Sequence, residues 1–260
     1  MDKDIRVIGS PLRKRVVIGV HAISSLLTER AYLLQRVILK ESLDRNKLRA
    51  IIGLCKKHDI PVEITTPGHF KRFDVYGVHQ GVVGVIKGFD VKDEEDLIAC
   101  VKQKNGMPKC IVALDQIQDP GNVGAIIRSA VAFGINNIII PKRGQAYLGE
   151  TMWKASSGTL VYINMVQVTN LGRTLVKLKE FGYWIVGLDS NSSSNIDNFS
   201  FPGLCVMVLG SEHKGLREGT RKKCDFTVKI KLDHMVESLN VSAAASIAFH
   251  VVANKLLTVN

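Results

Sequence analysis

The stretch "VMVLGSEHKGLREG", residues 206–219, decides how the chain is interpreted, because it joins an apolar strand to a glycine loop. Gly210 and Gly215 have the G-x-x-x-x-G spacing of a phosphate-binding loop. That motif continues with Lys and then Ser or Thr, whereas here Leu and Arg follow Gly215. Glu212 also lies inside the loop, where its negative charge would repel a phosphate. The stretch therefore predicts a strand and a glycine loop, but not a phosphate site.

Apolar strands and helices alternate on both sides of this loop, which indicates a mostly parallel sheet with helices on both faces, that is, an α/β fold. In the C-terminal part we predict strands at 110–115, 137–141, 161–166, 183–188, 204–209 and 226–230, and helices at 121–133, 170–181, 214–224 and 239–257. In the N-terminal part we predict a smaller α/β unit with strands at 35–40, 61–65 and 81–88 and a helix at 44–59.

A highly charged stretch, residues 91–109, separates these two parts. Asp93 could cap a helix within it, on which Leu97, Ile98 and Val101 would form an apolar stripe, but its composition is typical of a linker. We therefore expect a domain at 1–90, a linker at 91–109 and a second domain at 110–260. We further expect residues 1–14 to form a flexible tail.

Composition excludes several classes of protein. The chain has 260 residues, of which 46% are hydrophobic, and no apolar run is long enough to span a membrane. Its five cysteines form no C-x-x-C pair, which is typical of reduced thiols in a cytoplasmic protein. The net charge of +11 is compatible with a polyanionic partner. The chain contains no H-E-x-x-H metal motif and no G-x-S-x-G nucleophile motif.

Three polar loops each follow a predicted strand directly: residues 115–130, 210–216 and 231–246. Each has a structural explanation of its own, as a turn with a helix start, a pair of turn glycines, or a helix N-cap. The carboxyl ends of parallel strands, however, meet at one edge of a sheet, and ligands bind there. The three loops together therefore predict a ligand site at that edge.

These loops resemble the three motifs of the SpoU family of RNA ribose 2′-O-methyltransferases, within the SPOUT superfamily. The matching stretches are "DPGNVGAIIRSA", "VLGSEHKGL" and "ESLNVSAAASIA". Near the N-terminus, "VIGVHAISSLL" and "VHQGVVGVIKG" look like the start and end of the family's small RNA-binding domain, which resembles small ribosomal α/β proteins. The chain departs from the family at His213, often a glycine, and at Lys231-Leu232, often Pro-Met.

The resemblance implies a fold, a cofactor and an assembly. The fold is a C-terminal SPOUT domain with a deep trefoil knot, formed by threading the C-terminal segment through a loop. The cofactor is S-adenosylmethionine (SAM), with no metal, and its contacts fall on Leu209, Gly210, Ile230 and Leu239. The family acts as a homodimer on RNA, with no membrane and no DNA partner.

The resemblance also implies the catalytic set: Arg128, Asn122, Glu212, Ser238 and Asn240. An arginine side chain is a poor base because its pKa lies above about 12. Two roles for Arg128 therefore stay open, a clamp on the phosphate beside the target ribose or a base in an unusual environment, and we favour the clamp, or both roles acting in sequence. In the family's dimer this arginine lies near the cofactor of the other chain.

The N-terminal domain resembles that of members that modify a guanosine of 23S ribosomal RNA, and transfer RNA is the alternative substrate. A base methyltransferase and a non-catalytic RNA-binding protein are rival interpretations that the polar loop residues disfavour. Basic residues that we expect to contact RNA are Arg13, Lys14, Arg15, Lys71 and Arg72.

Overall fold

The protein is described here by a computed structural model, which covers residues 16–71, 73, 79–87, 91–103, 107–146, 150–212 and 214–257. The chain divides into two compact units, Met1–Phe89 and Asp90–Asn260. Among the helices in these described ranges, none has both the length and the apolar character that crossing a membrane requires. Residues 1–14, predicted as a flexible tail, lie outside the described ranges.

Unit 1 is a four-stranded sheet with helices. Its elements are β1 (Val16–Ile18), α1 (Val20–Glu29), a 3₁₀ turn (Ala31–Leu33), β2 (Leu34–Lys40), α2 (Arg45–Lys57), β3 (Val62–Thr65), α3 (Pro67–Phe70) and β4 (Val82–Ile86). The strand order is β1-β4-β2-β3, with β2 parallel to β3 and β4 antiparallel to both β1 and β2. The strands and the helix predicted for this part are confirmed.

The start and the buried face of helix α2 follow from its sequence. The Asp44 side chain accepts hydrogen bonds from the backbone N–H groups of Asn46 and Lys47, which caps the first turn. Ile51 and Cys55, four residues apart, are buried on the inner face of the helix, and Leu48, Ile52 and Leu54 are partly buried beside them. Burial raises the pKa of the Cys55 thiol to about 11.

Unit 2 is a seven-stranded sheet covered by helices. Its elements are β5 (Val91–Lys92), α4 (Glu94–Lys102), β6 (Cys110–Asp115), α5 (Pro120–Ala132), β7 (Asn137–Pro141), α6 (Glu150–Ala155), a 3₁₀ turn (Thr159–Tyr162), β8 (Asn164–Val168), α7 (Leu171–Glu180), β9 (Trp184–Leu188), a 3₁₀ turn (Ile196–Asn198), β10 (Cys205–Gly210), α8 (Glu218–Arg221), β11 (Phe226–Val228), α9 (Val241–Val252) and a π turn (Ala253–Leu257). The strand order is β11-β9-β10-β6-β7-β8-β5, and all neighbouring pairs are parallel. The predicted α/β fold with a mostly parallel sheet is confirmed, while the trefoil knot stays a prediction.

The prediction of a linker at 91–109 is wrong for the residues that the structure describes. Strand β5 pairs with β8 at the edge of the sheet. Helix α4 begins after Asp93, which forms a reciprocal capping box with Asp96, and it buries Leu97 and Val101 in the core of unit 2. The cap and the apolar stripe noted in the sequence thus belong to a packed helix of unit 2 rather than to a linker.

Several element boundaries also differ from those predicted, and for three of them the structure shows the reason. The strand predicted at 161–166 begins only at Asn164, because a 3₁₀ turn follows the left-handed Gly158. The basic helix predicted at 214–224 is reduced to the single turn of α8, since Gly215 adopts a φ of 60°. The regular last helix starts after Asn240, whose side chain accepts a hydrogen bond from Ser242 N and so caps it.

The sheet brings the polar loops to one edge, as predicted. In the parallel pair β6 and β10, Gly210 lies opposite Asp115, and each is the last residue of its strand. All twelve residues of these two strands are buried, so only the loops that follow them can present polar groups to a ligand.

Candidate functional site

A cavity of about 650 Å³ opens at the carboxyl edge of the unit 2 sheet. It lies between the segments that follow β9, β10 and β11 and the start of α9. The four residues predicted to contact the cofactor all line it: Leu209, Gly210, Ile230 and Leu239. Its volume falls within the range of roughly 300–1,000 Å³ that is usual for pockets that hold small ligands.

The glycine loop after β10 folds back on itself at the wall of this cavity. Ser211 N donates to Gly215 O at 3.0 Å, and Gly215 N donates to Ser211 O at 2.9 Å. A Cβ atom on Gly210 would overlap the backbone of Gly215 and Leu216, so this position admits only glycine. The loop therefore presents backbone groups to the cavity at close range.

A chain of side-chain hydrogen bonds joins the three polar loops. Asn122 Nδ2 donates to Glu212 Oε1 at 3.0 Å, and Asn240 Nδ2 donates to Asn122 Oδ1 at 3.0 Å. Both amides are themselves fixed, because Asn122 lies in the first turn of α5 and Asn240 caps α9. Glu212 lines the cavity, so this network holds its carboxylate at the edge of the pocket.

The remaining predicted catalytic residues lie in different places. Ser238 lines the cavity and is exposed. Arg128 is exposed on α5 and donates from Nη1 to Ser157 Oγ at 3.2 Å, and it is not among the residues that line the cavity. Ser157 has a φ of 51°, an uncommon conformation for a residue other than glycine. Within one chain, Arg128 is therefore not brought to the predicted cofactor pocket.

Sequence reasoning missed a buried ion pair beside the glycine loop. The fully buried Asp115 accepts from Arg217 Nε at 2.6 Å and from Arg217 N at 3.1 Å, and its Oδ1 lies 2.5 Å from Arg217 Nη2. The pair joins the end of β6 to the end of the glycine loop across 102 residues. A carboxylate at the end of an apolar strand was the available signal, but nothing local indicated its partner.

A second ion pair at the cavity was also missed. Asp189 follows β9 and pairs through Oδ2 with Arg221 Nε at 3.0 Å. Its Oδ1 accepts from Asn191 N at 2.9 Å, and all three of these residues line the cavity. The pocket therefore combines apolar walls with polar groups that are fixed in orientation.

The described residues contain no group of three His, Cys, Asp or Glu side chains placed to hold a metal ion. Of the residues expected to contact RNA, Lys71 is exposed at the end of α3. The other four, Arg13, Lys14, Arg15 and Arg72, lie outside the described ranges.

Comparison with protein families matches both units. Residues 109–250 match the SpoU rRNA Methylase family. Residues 16–91 match a family described as RNA 2′-O ribose methyltransferase substrate binding. The two matches cover the units that the structure separates.

Related proteins and solved structures agree with these matches. The chain is 36% identical over 242 residues to a Bacillus subtilis protein named as the TrmH family tRNA/rRNA methyltransferase YacO, covering 92% of this chain and 95% of that one. It is 32% identical over 240 residues to a protein of Staphylococcus aureus named as a TrmH family tRNA/rRNA methyltransferase, with coverage of 92% and 96%.

Two solved structures have the same fold. One is the SpoU methyltransferase AviRb of Streptomyces viridochromogenes in complex with AdoMet, with a TM-score of 0.69, 22% identity and coverage of 92% of this chain and 89% of that one. The other is an AdoMet-bound rRNA methyltransferase of Sinorhizobium meliloti, with a TM-score of 0.71, 18% identity and coverage of 92% and 86%. On the family matches and the curated relatives together, the chain belongs to the SpoU family of RNA methyltransferases.

Proposed function

We propose that this chain transfers a methyl group from SAM to a ribose 2′-hydroxyl of RNA. The observation that carries the proposal is the cavity at the carboxyl edge of the sheet, where Asn122, Glu212 and Asn240 from three separate loops are joined by hydrogen bonds. The three residues come from the three loops that resemble the motifs of this family, and all lie within the stretch that its model matches.

The residues of the cavity fit SAM. Leu209, Ile230 and Leu239 supply apolar contacts for a flat base. Because Gly210 has no side chain and the loop folds back tightly, backbone N–H and C=O groups can approach the edge of that base. When bound, SAM supplies a methyl group already activated by the positive charge on sulfur.

The contribution of the protein is then mainly to hold two reactants in line. Glu212 can orient polar groups of the RNA or the arginine, and Asn122 and Asn240 hold its carboxylate in position. Ser238 lies where it could donate a hydrogen bond near the target nucleotide. Arg128 is suited to clamp the phosphate beside the target ribose, since a guanidinium can donate two parallel hydrogen bonds.

We also propose that the enzyme works as a homodimer. Arg128 does not line the cavity of its own chain, which fits the family arrangement in which it serves the partner's cofactor. Met235 and Val236, on the loop that leads to Ser238, are 83% and 51% exposed. Apolar side chains so exposed beside a site are typical of an interaction surface.

The substrate that we favour is a guanosine of 23S ribosomal RNA, with transfer RNA as the alternative. Unit 1 matches the substrate-binding family, and the names of the relatives cover both RNA classes. All five cysteines are free in the structure, which supports a cytoplasmic enzyme.

The test is methyl transfer by the purified enzyme from isotope-labelled SAM to unmodified large-subunit ribosomal RNA, followed by digestion and mass spectrometry of the nucleosides. We expect 2′-O-methylguanosine, with unmodified transfer RNA as the parallel substrate. A methylated base, or no transfer to either RNA, would contradict the proposal.

A further inference from the structure

A second cleft, of about 640 Å³, lies on the other side of α8 from the cofactor cavity. Leu216 and Arg221 line the cavity, whereas Arg217 and Thr220 line the cleft. Helix α7 forms the opposite wall through its first two turns. The cleft is therefore next to the catalytic edge of the sheet but separate from the cofactor cavity.

The cleft is a site of concentrated positive charge. Three basic side chains line it, those of Arg173, Arg217 and Lys223, and its described lining residues include no Asp or Glu. Arg173 and Lys223 are exposed, and within the described part of the chain neither forms an ion pair. The charges of Arg173 and Lys223 are therefore not offset by a described carboxylate, and charges of this kind attract anions.

The neighbouring lysines on α7 and at the end of α8 differ from Arg173 and Lys223 because they form ion pairs. Each is paired with a carboxylate: Lys177 with Glu94 at 3.0 Å, Lys179 with Asp225 at 2.6 Å and Lys222 with Glu218 at 2.6 Å. The positive charges of Lys177, Lys179 and Lys222 are thus offset locally, whereas those of Arg173 and Lys223 at the cleft are not offset by any described carboxylate. This contrast distinguishes the cleft from an ordinary basic surface.

The side chain of Arg217 is held in one orientation by a buried carboxylate. Its Nε and Nη2 groups are directed at the buried Asp115 carboxylate, and its side chain stays 44% exposed. A guanidinium carries five N–H donors, so donors that face away from Asp115 remain for a ligand in the cleft. The ion pair fixes the planar group before the ligand arrives, which lowers the entropy cost of binding.

Backbone N–H groups at the start of α7 also border the cleft. Helix α7 has ten residues, and its first-turn N–H groups have no acceptor within the helix. Asn170 accepts one of them, from Arg173 N at 3.1 Å. Gly172 has no side chain to cover this turn of the helix. A Cβ atom added there would lie 3.9 Å from Lys223 Cγ, so the lysine side chain lies close to the turn.

We propose that this cleft binds a phosphate of the RNA backbone and so positions the strand that enters the catalytic site. Planar guanidinium groups, an ammonium group and helix N–H donors together form the donor set that binds phosphate in proteins. The proposal rests on the proposed function, since it takes RNA to be the substrate. The proposed contact is made by unit 2 to the RNA strand, and it is additional to any RNA contact made by unit 1.

The experiment uses the full chain and compares the double variant R173Q/K223Q with the control K222Q. Lys222 neighbours Lys223 and carries the same charge, but it does not line the cleft. Arg217 is left unchanged because it also positions the glycine loop. The probe is a fluorescent fragment of large-subunit ribosomal RNA, and its affinity is measured by anisotropy from about 0.05 to about 0.2 M NaCl.

We expect the double variant to bind the RNA roughly tenfold more weakly for each lost contact. The salt dependence should also become shallower, by about 0.7 in log–log slope for each lost phosphate contact if that part of the RNA is single-stranded. K222Q should match the parent protein, and SAM binding and the thermal unfolding midpoint should be unchanged in both. Equal RNA affinity and salt slope in the double variant and the control would overturn the proposal. If the parent protein transfers no methyl group to any RNA, it is the proposed function that fails.

Discussion

Arg128 has few contacts within its own chain, so its chemical role can be tested without disturbing the fold. It is exposed, and among the described residues its side chain forms one hydrogen bond, to Ser157. We predict that Arg128→Ala lowers methyl transfer by at least about a hundredfold, while the free energy of unfolding changes by less than about 0.5 kcal/mol. Single-turnover kinetics and chemical denaturation measure the two effects.

Arg128→Lys separates the clamp from a simple charge effect. A lysine keeps the positive charge but cannot form the planar two-point contact with a phosphate. We expect most activity to be lost in this variant as well, with SAM affinity retained. Ser157→Ala, which removes the hydrogen-bond partner alone, is the matched control and should keep activity within a few fold, roughly. Near-normal turnover in Arg128→Lys would rule out the clamp.

Gly210 tests whether the tight loop forms the cofactor pocket. In Gly210→Ala the new methyl group would overlap backbone atoms of Gly215 and Leu216, so the loop must shift. We predict that SAM affinity falls by at least about tenfold, equivalent to about 1.4 kcal/mol. Gly219→Ala, which places its methyl group in open space, is the control for calorimetry and should bind SAM normally.

Cys55 gives unit 1 a pH-dependent stability. Because burial raises its pKa in the folded chain from the ordinary thiol value of 9.0 to about 11, the fold favours the neutral thiol. This contribution is fully present below about pH 9 and is lost as the pH rises through about 11. We predict that the stability difference between the parent chain and Cys55→Ala, measured by urea unfolding, shrinks over this window. A difference independent of pH would contradict the burial argument.

Individual residues could be predicted where a motif fixed them. The four residues predicted to contact the cofactor line one cavity, and a chain of hydrogen bonds runs from Asn240 through Asn122 to Glu212. Asp115 and Arg217 could not be paired in advance, because 102 residues separate them and only the parallel alignment of β6 and β10 brings them together.

At the scale of elements, the Asp115–Arg217 pair joins the end of β6 to the glycine loop. Arg217→Gln leaves a buried carboxylate without its cation, and because Arg217 is 44% exposed we expect a loss of about 1–3 kcal/mol in unfolding free energy rather than more. SAM affinity should fall in parallel as the loop loses its anchor. Adding Asp115→Asn should restore part of the stability, since the buried charge is then removed. Strictly additive losses in the double variant would show that the two residues are not coupled.

Elements were predictable where local pattern and tertiary packing agreed. Strands β6, β7 and β10 are apolar runs bounded by turn residues, and they form within a residue of their predicted limits. The prediction failed at residues 161–163, where an apolar run is bent by the left-handed Gly158, and at α8, where Gly215 interrupts a basic stretch. In both cases the positive φ of a single glycine determined the local structure, although the composition of the segment favoured a strand or a helix.

At the scale of the whole molecule, the two units correspond to two family matches and to two proposed tasks. The sequence indicated this division but placed the second domain at residue 110. Strand β5 and helix α4 show that unit 2 starts near residue 90. The Asp93 cap and the apolar stripe of α4 were visible in the sequence, but the sheet and core against which the stripe packs are encoded by no local pattern.

This boundary makes a prediction about fragments. A fragment of residues 90–260 keeps β5 and α4, so we expect it to fold, to dimerise and to bind SAM with the affinity of the full chain. A fragment of residues 105–260 loses the pairing partner at one edge of β8 and uncovers the core around Leu175. Removing two buried aliphatic side chains, Leu97 and Val101, costs about 3–6 kcal/mol, a large share of the stability of a domain. We therefore expect the shorter fragment to unfold at lower temperature or to aggregate.

The longer fragment also separates the task of unit 1 from that of unit 2. If unit 1 selects the RNA, the fragment 90–260 should bind SAM normally but lose most methylation of structured ribosomal RNA. Its residual RNA affinity should come from unit 2, so R173Q/K223Q introduced into this fragment should weaken RNA binding further while K222Q does not. Methylation by the fragment that is as fast and as selective as methylation by the full chain would show that unit 1 does not choose the substrate, and recognition would then have to lie in unit 2 alone.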